Sequence, residues 1–392
     1  REPLRVQVTD PGTNRPLSGL RVAFEVFGGG GAIDADEAVT DAGGFAETRL
    51  TAGRAPVRNR VRATVETAAG ARSARFDLLA TPGSNVVPEV FATLKDPSSF
   101  AAIRAEDLAF DGGGRIFFGN DGGVGFVETS GTEGGFPTTG VAIQAIAGIA
   151  FDAAGALYGA DGAANRFVKI APDGAATALI EGLDGGNFAA VDREGNAYLS
   201  TPCEGRIYQV TPAGEVSVFL EGPLPGGAPF EPNGFAFGED ESELWIVTEN
   251  TGFLCRFEVN PAATAKTGKL LRVPLAGGEP GAFEIVEDAV GTFGDGVAFD
   301  SEGNLYAIFD QVDAQFFLGL PVSIAVRSEV WARTPEGDFQ RWFFSEETIW
   351  ANLAFGEGEF ARTDLYLTEF LPGNRIFRTP AGIPGLPLIP RP

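Results

Sequence analysis

The sequence contains 392 residues and no histidine, and this absence removes a large class of enzymes from consideration. Hydrolases with a Ser-His-Asp or Cys-His centre, His-ligated zinc enzymes and mechanisms with a His general base all require that side chain. Any hydrolytic chemistry in this chain must therefore use carboxylates, amides and a metal ion.

Positive charge is also scarce, because 29 Lys and Arg residues accompany 53 Asp and Glu residues and give a formal net charge of −24. A chain of this charge is repelled by nucleic acid and by anionic lipid, so we expect neither as a partner. No apolar run reaches about 18 residues, so we expect no insertion into a membrane.

Cysteine is nearly absent, since only Cys203 and Cys255 are present. A disulfide between them is compatible with an exported protein, and two separate buried thiols are equally compatible with the sequence.

Glycine and proline, by contrast, are abundant, at 54 and 26 residues, and 44% of the residues are hydrophobic. No collagen-like period accompanies them, so this composition favours a globular all-β chain of many short strands joined by tight turns. The length allows two domains, each with its own core.

Residues 1–83 alternate apolar and polar residues in short runs between turn signals, which predicts a small β-sandwich ending in a Pro/Gly/Ser linker at residues 81–84. The order of "VQVTDPGTNRPLSGLRVAFEV", "VTDAGGFAETRLTAG" and "VRATV" resembles a bacterial Ig-like domain of the invasin/intimin type. In that family the domain is a spacer or adhesive element of exported proteins. The resemblance therefore implies a secreted or cell-surface location, extracellular or periplasmic. A sandwich that only stabilises its neighbour is the alternative.

Residues 84–392 contain six similar segments, each with an apolar strand, an Asp or Gly anchor, a turn and a second strand. They read "LAFDGGGRIFFGN", "IAFDAAGALYGAD", "AAVDREGNAYLST", "FAFGEDESELWIVTE", "VAFDSEGNLYAIFD" and "LAFGEGEFARTDLYLTE". The anchors are Asp111, Asp152, Asp192, Gly238, Asp300 and Gly356, and the first two steps between them are 41 and 40 residues. A period near 40 with about four strands per repeat is typical of a propeller blade. We therefore predict a six-bladed β-propeller, in which residues 89–96 supply the missing fourth strand of blade six and remove an open sheet edge.

The repeats allow equivalent positions of the blades to be compared. Five residues before each anchor, at the start of the innermost strand, all blades converge at one mouth of the channel. These positions hold Glu106, Ala147, Asn187, Asn233, Asp295 and Ala351, and Asn352 follows one step later in blade six. Converging carboxylate and amide oxygens suit Ca²⁺, Mg²⁺ or Mn²⁺ and tolerate Zn²⁺. We therefore predict a divalent-metal site at Glu106, Asn187, Asn233 and Asp295, although a single such residue often only caps a turn.

The same segments resemble the gluconolactonase / senescence-marker-protein / luciferin-regenerating-enzyme family over about residues 86–382. "AEDLAFDGGGRIFF" and "PNGFAFGEDESELWIVTEN" are similar to the family blades whose Glu and Asn bind the metal. "GDGVAFDSEGNLYAIFD" is similar to the blade whose Asp is both ligand and catalytic base, and "GGNFAAVDREGNAYLS" to the blade whose Asn faces the substrate. The resemblance implies that Glu106, Asn233 and Asp295 are ligands, that Asp295 is catalytic and that Asn187 contacts substrate.

The chain departs from this family in blade three, where Gly185 and Phe188 stand in place of an Arg and an Asp. The contact to a sugar acid is therefore missing, and Phe188 indicates a more apolar ligand. An insertion at residues 311–328 adds an apolar run on the metal face of blade five. We interpret it as a lid over the mouth, and packing against the Ig-like domain or a partner is the alternative. The expected substrate-binding residues are Asn187, Phe188, Asn352, Phe316 and Phe317.

These patterns predict a metal-dependent hydrolase of a small-molecule lactone or related ester, with Ca²⁺ as the first choice of cofactor. The absence of His argues against paraoxonase-like relatives, which use His as base. The alternative is an exported, non-catalytic binding or structural surface protein with a structural metal. In that case the Ig-like domain makes cell-surface or self-assembly contacts.

Overall fold

The computed structural model describes residues 2–68, 70–81, 86–95, 105–120, 122–249, 255, 264–317 and 320–386, without the side chains of residues 2 and 314–324. Within these ranges the chain forms strands, turns and two short 3₁₀ helices, so the all-β prediction is confirmed. The described residues include no helix that is long and apolar enough to cross a membrane. The predicted boundary between residues 83 and 84 and the end of the predicted closing strand, residue 96, lie outside the described residues.

The N-terminal unit consists of two antiparallel sheets packed face to face. Strands β1–β7 occupy Glu2–Gln7, Arg21–Gly28, Ala32–Ile33, Glu37–Val39, Phe45–Thr51, Arg58–Thr67 and Gly70–Leu79. One sheet has the order β1-β5-β3 and the other the order β4-β2-β6-β7. Alternate residues of β2, β5 and β6 are buried, as the alternating sequence predicts. The two sheets share a core formed by Leu4, Val22, Phe24, Ala46, Leu50, Val61, Ala63 and Val65.

Six further sheets follow in chain order, and we number them sheets 1 to 6. Their strands pair antiparallel, except that the short strand β13 of sheet 2 pairs parallel with β17. Strand β8 is Glu89–Thr93. Strands β9–β12 of sheet 1 are Ala109–Phe110, Arg115–Asn120, Gly123–Glu128 and Glu133–Phe136. Strands β13–β17 of sheet 2 are Thr139–Gly140, Ile146–Phe151, Leu157–Asp161, Arg166–Ile170 and Ala175–Glu181. Strands β18–β21 of sheet 3 are Ala189–Val191, Ala197–Thr201, Arg206–Val210 and Val216–Glu221. The 3₁₀ helices are Gly162–Ala164 and Pro225–Gly227.

The remaining strands form sheets 4 to 6. Strands β22–β26 of sheet 4 are Pro232–Phe237, Glu243–Thr248, Leu270–Ala276, Glu279–Pro280 and Glu284–Glu287. Strands β27–β30 of sheet 5 are Phe293–Phe299, Leu305–Phe317, Leu320–Arg333 and Phe339–Ser345. Strands β31–β33 of sheet 6 are Ile349–Phe355, Asp364–Leu371 and Arg375–Pro380. Sheet 6 takes its fourth strand from β8, which pairs with β33, so the start of this region is joined to its end.

The six sheets are arranged in a ring around their innermost strands, and we count the strands of each sheet outwards from these. The innermost strands of consecutive sheets touch from β9 through β14, β18, β22 and β27 to β31. Thr368 in sheet 6 donates a hydrogen bond through Oγ1 to the backbone oxygen of Glu106 before sheet 1, at 2.6 Å, and this contact closes the ring. The chain therefore brings the beginnings of six inner strands to one end of a common axis.

The Asp anchors of the repeat hold the turn between the first and second strand of a sheet. In all four Asp anchors, Oδ1 accepts a hydrogen bond from the backbone N–H four residues later. In sheets 3 and 5 the other oxygen, Oδ2, accepts a bond from Tyr198 or Tyr306 at 2.9 Å. The Asp that recurs in the sequence repeats is therefore explained by the hydrogen bonds that this turn needs.

The N-terminal unit packs on the face of the ring that carries the anchor turns. Ala55 and Val57 are completely buried in a core shared with sheets 5 and 6. Arg58 Nε lies 2.7 Å from Asp338 Oδ2, and the backbone N–H of Gly29 donates to the carboxylate of Glu302 at 3.0 Å. Both acids lie in turns at the ends of the sheet-5 strands opposite the start of β27. The N-terminal unit therefore leaves the end of the ring where the inner strands begin uncovered.

A change of Asp300 to Asn tests the anchor network. Burial raises the pKa of Asp300 to about 6, although hydrogen bonds from Asn304 and Tyr306 oppose this shift. The folded protein then keeps this proton up to about pH 6 while the unfolded chain loses it near pH 4, so rising pH costs stability between these values. We expect the unfolding free energy of the wild type, measured in urea relative to Asp300→Asn, to fall by roughly 2–3 kcal/mol from pH 4 to pH 7. A pH-independent difference would contradict this prediction.

Candidate functional site

The four residues of the predicted metal site come from four different sheets, and we call them together the mouth site. Glu106 precedes β9 and Asn187 precedes β18, whereas Asn233 and Asp295 lie near the starts of β22 and β27. Asn187 Nδ2 donates a hydrogen bond to Glu106 Oε1 at 3.1 Å. Asn233 Nδ2 donates one to Asp295 Oδ1 at 3.0 Å. The fold therefore brings the four side chains together as two amide–carboxylate pairs.

The two carboxylates of the mouth site are strongly disfavoured as anions. Burial raises the pKa of Glu106 to about 7, and the hydrogen bond from Asn187 opposes only part of this shift. Burial raises the pKa of Asp295 well above its usual range, and the charges of Glu106, Asp310 and Glu249 raise it further. Among the described residues, no Lys or Arg lies close enough to lower either pKa. When these acids ionise, amide groups are therefore the only partners that the described residues offer them.

A divalent cation fits the atoms that this site presents. Asn233 is only 2% exposed, and its Oδ1 is buried without a hydrogen-bond donor. An unpaired amide oxygen beside two unneutralised carboxylates matches the hard oxygen donors that Ca²⁺, Mg²⁺ and Mn²⁺ prefer. In the described part of the chain, no three Asp, Glu or Cys side chains converge to hold a metal ion by themselves. Amide oxygens would therefore have to complete the ligand set.

Sequence reasoning missed a third carboxylate at the mouth site. Glu249 follows β23, is 2% exposed, and accepts a second hydrogen bond from Asn187 Nδ2 at 3.1 Å. Burial, together with the charges of Glu106 and Glu231, raises its pKa well above the usual range. An acid at the mouth end of the second strand also occurs in sheets 2, 5 and 6. Its distance from the anchor varies from 9 residues in sheet 2 to 13 in sheet 6, so a constant offset does not find it.

The two predicted substrate contacts nearest to the mouth site lie on its inner side. Phe188 is half-buried and packs edge-to-face on Phe235, with ring centroids 5.1 Å apart. Asn352 is 5% exposed, and its Oδ1 accepts a hydrogen bond from the backbone N–H of Leu353 at 2.7 Å. This oxygen lies where a Cβ on Gly296 would come within 2.2 Å, so Asn352 fills the contact between sheets 5 and 6. Its role in substrate binding stays a prediction.

The predicted lid is a long hairpin formed by the last residues of β28 and the first residues of β29. Beyond Asp310 these strands pair only with each other, down to the pair Phe317 and Leu320. The hairpin leaves sheet 5 at the end where β27 begins, which is the end of the mouth site. The side chains of Phe316 and Phe317 lie outside the described part of the structure, so their contact with a substrate stays a prediction.

A disulfide joins Cys203, in the turn between β19 and β20, to Cys255. Gly185 lies directly against this bond with a φ of +70°, and a Cβ at this position would come within 2.3 Å of Cys203 Sγ. Position 185 therefore has no room for the Arg of the similar family while the disulfide is in place. The disulfide therefore explains why a glycine stands at position 185, where the similar family has an Arg.

A narrow cavity of about 100 Å³ follows the ring axis behind the mouth site. Asp107, Phe188 and Asn352 line it near the mouth, and Glu357 and Leu386 line it at the far end. Most of the wall between them is formed by aromatic and aliphatic residues of the inner strands. An apolar group that enters at the mouth site would therefore find an apolar surface behind it.

Solved structures with a similar fold were found for most of the chain. A gluconolactonase from Xanthomonas campestris, described as important in glucose secondary metabolic pathways, matches with a TM-score of 0.52 and 15% identity, over 78% of this chain and 96% of that chain. A putative gluconolactonase matches with a TM-score of 0.52 and 16% identity, over 77% and 95%. A luciferin-regenerating enzyme matches with a TM-score of 0.51 and 14% identity, over 76% and 97%. The fold is a β-propeller.

These likenesses concern the fold of the propeller alone. No protein-family model matches the sequence, and no curated protein matches it.

Replacing both cysteines by serine tests the contribution of the disulfide to the propeller. The bond closes a loop across a sequence separation of 52 residues, so its loss should lower the free energy of unfolding by roughly 2–4 kcal/mol. Urea denaturation of Cys203→Ser/Cys255→Ser and of the wild type in reducing buffer should give the same loss. Equal stability of the variant and the oxidised wild type would contradict this expectation.

Proposed function

We propose that the chain is an exported, metal-dependent hydrolase that cleaves a lactone or a related ester at the mouth of a six-bladed propeller. In this proposal sheets 1 to 6 are the blades, β8 completes the sixth, and β1–β7 are an Ig-like domain. One observation carries the proposal: four carboxylate and amide side chains converge from four sheets, with an unpaired buried amide oxygen and no neutralising Lys or Arg among the described residues.

Each residue of the mouth site has a task in this proposal. Glu106, Asn233 and Asp295 would hold a divalent ion, with Ca²⁺ as the first choice and Mg²⁺, Mn²⁺ or Zn²⁺ as alternatives. When bound, such an ion polarises the ester carbonyl and lowers the pKa of a bound water. Asn233 supports this arrangement with both ends of its amide, since Nδ2 orients Asp295 and Oδ1 stays available as a ligand.

Asp295 acts as the general base. The hydrogen bond from Asn233 occupies Oδ1, so Oδ2 is the oxygen that takes the proton of the attacking water. Asn187 orients the water or the substrate beside it. No histidine is needed for any of these steps, in keeping with the composition.

The substrate is proposed to be a small-molecule ester with an apolar portion. Phe188 and the inner strands offer an apolar wall, and Gly185 removes the position from which an Arg could bind a sugar acid. Two of the structures with a similar fold are called gluconolactonases, and this supports ring esters as the first class to test. The hairpin with Phe316 and Phe317 would close over the bound ester.

The change Asp295→Ala tests the catalytic assignment. Removal of the base and of one ligand should reduce hydrolysis of any lactone or aryl ester that the wild type accepts by at least about 10³-fold, while the protein stays folded. Hydrolysis would be followed by proton release, and folding by thermal melting. Glu215→Ala, which removes an exposed carboxylate far from the mouth, is the matched control. Unchanged hydrolysis in Asp295→Ala would exclude this role.

A second candidate is a non-catalytic surface protein in which the ion only stabilises the propeller. The position of the N-terminal unit favours it, since this unit shares a core with sheets 5 and 6 on the far face and leaves the mouth uncovered. Such an arrangement would present the mouth to a binding partner, and the N-terminal unit could make cell-surface or self-assembly contacts.

Removal of divalent ions separates these two candidates. If Ca²⁺ binds with a Kd near 0.1 mM, about 5 mM Ca²⁺ should stabilise the folded state by about 2 kcal/mol. We expect chelation to abolish ester hydrolysis while the melting temperature falls by only a few degrees, and added Ca²⁺ to restore both. A collapse of the melting transition, without hydrolysis under any condition, would favour the surface protein.

A further inference from the structure

Glu249 contacts the mouth site through a single side chain, Asn187. The Asn187 Nδ2 atom donates to Glu249 Oε1 and to Glu106 Oε1, and both distances are 3.1 Å. A carboxamide nitrogen carries two hydrogens, and the two acids therefore use its full donor capacity. The oxygen of the same planar group is directed away from both acids.

The equivalent acids in two other sheets have a different environment. In sheet 2, Asp161 Oδ2 lies 2.7 Å from Arg166 Nη2, and in sheet 6, Glu369 Oε2 lies 2.6 Å from Arg375 Nε. Glu249 is as deeply buried, yet within the described residues it has no Lys or Arg partner. A buried acid without a cation is unfavourable for folding, so an ion pair does not explain its presence.

We propose that Glu249 is a positioning residue, which holds the Asn187 carboxamide with its nitrogen on the two acids and its oxygen free to accept a hydrogen bond from a ligand in the mouth. This inference rests on the proposed function and narrows it. Asn187 then lies outside the ligand set of the ion, which consists of Glu106, Asn233 and Asp295. It recognises instead a ligand that brings an O–H or N–H donor, such as the attacking water.

The hydrogen bonds of Asn187 can be measured directly on the full chain labelled with ¹⁵N-asparagine. The side-chain signal of Asn187 is identified by its loss in Asn187→Ala. Because Glu249→Leu removes the acceptor of one of the two amide hydrogens, we expect hydrogen exchange of this amide to be at least about tenfold faster in Glu249→Leu than in the wild type. Glu249→Gln keeps an acceptor oxygen and should retain most of the protection. Glu221→Leu, which removes an exposed acid on the same face that pairs with Arg206 and not with Asn187, should leave the exchange unchanged.

The same signal decides how Asn187 behaves when the ion is bound. At saturating Ca²⁺, followed independently by calorimetry, the protection of the Asn187 amide should persist. Loss of protection on Ca²⁺ binding would mean that the oxygen turns to the ion, and equal exchange in Glu249→Leu and the wild type would mean that Glu249 does not hold the amide. Either result overturns the inference and leaves the hydrolase proposal standing. Absence of Ca²⁺ binding in the wild type would overturn the metal-dependent proposal and, with it, the assignment of Asn187 to a place beside the ion.

Discussion

At Gly148 and Gly234, neighbouring inner strands of this propeller approach one another so closely that no side chain fits between them. A Cβ on Gly148 would lie 2.3 Å from the backbone oxygen of Asn187, and one on Gly234 would lie 2.2 Å from that of Asp295. In sheet 1 the equivalent residue is Asp107, whose carboxylate accepts a backbone N–H from the next sheet. Because the residue at this position contacts the neighbouring sheet, the residue before it faces the ring axis. The mouth site is made of those preceding residues.

The same close packing explains why the charge at the mouth cannot relax. Glu106, Glu249 and Asp295 are attached to strands whose separation is fixed by the ring, so the carboxylates cannot move apart to reduce their repulsion. A flexible surface cluster would turn its acids towards water, and the burial of these groups prevents that. Only protonation or a bound cation can then reduce the repulsion among these carboxylates. A cation that reduces this repulsion would also stabilise the folded protein when it binds. In the proposed metal-binding role, binding of the ion would restore the stability that these carboxylates cost the ion-free protein.

The sequence predicted the mouth site because its four residues share one offset, five residues before the anchor of their repeat. It did not reveal Glu249, because that residue lies beyond a turn whose length differs between sheets. The pairing of Cys203 with Cys255 also stayed open, since it depends on how neighbouring sheets are placed and not on any local pattern. That Phe188 lines the cavity as an apolar residue could be expected from its side chain. The reason for a glycine at position 185 became clear only from the position of the disulfide. Local sequence patterns therefore identified residues whose position depends on a single strand. They missed residues whose position depends on the packing of two sheets.

The two ends of the ring carry different parts of the fold. At the far end the N-terminal unit holds the turns with Glu302 and Asp338, and the backbone N–H of Leu386 donates to the oxygen of Phe299, so that the C-terminal segment lies against the inner strand of sheet 5. At the mouth lie the unneutralised carboxylates, the disulfide and the long hairpin. Additional packing at the far end fixes the sheets without covering the polar cluster, and the disulfide fixes the loops beside it. Because these supports lie beside the mouth site and behind it, they can hold the framework of its charged groups rigid without themselves covering the site.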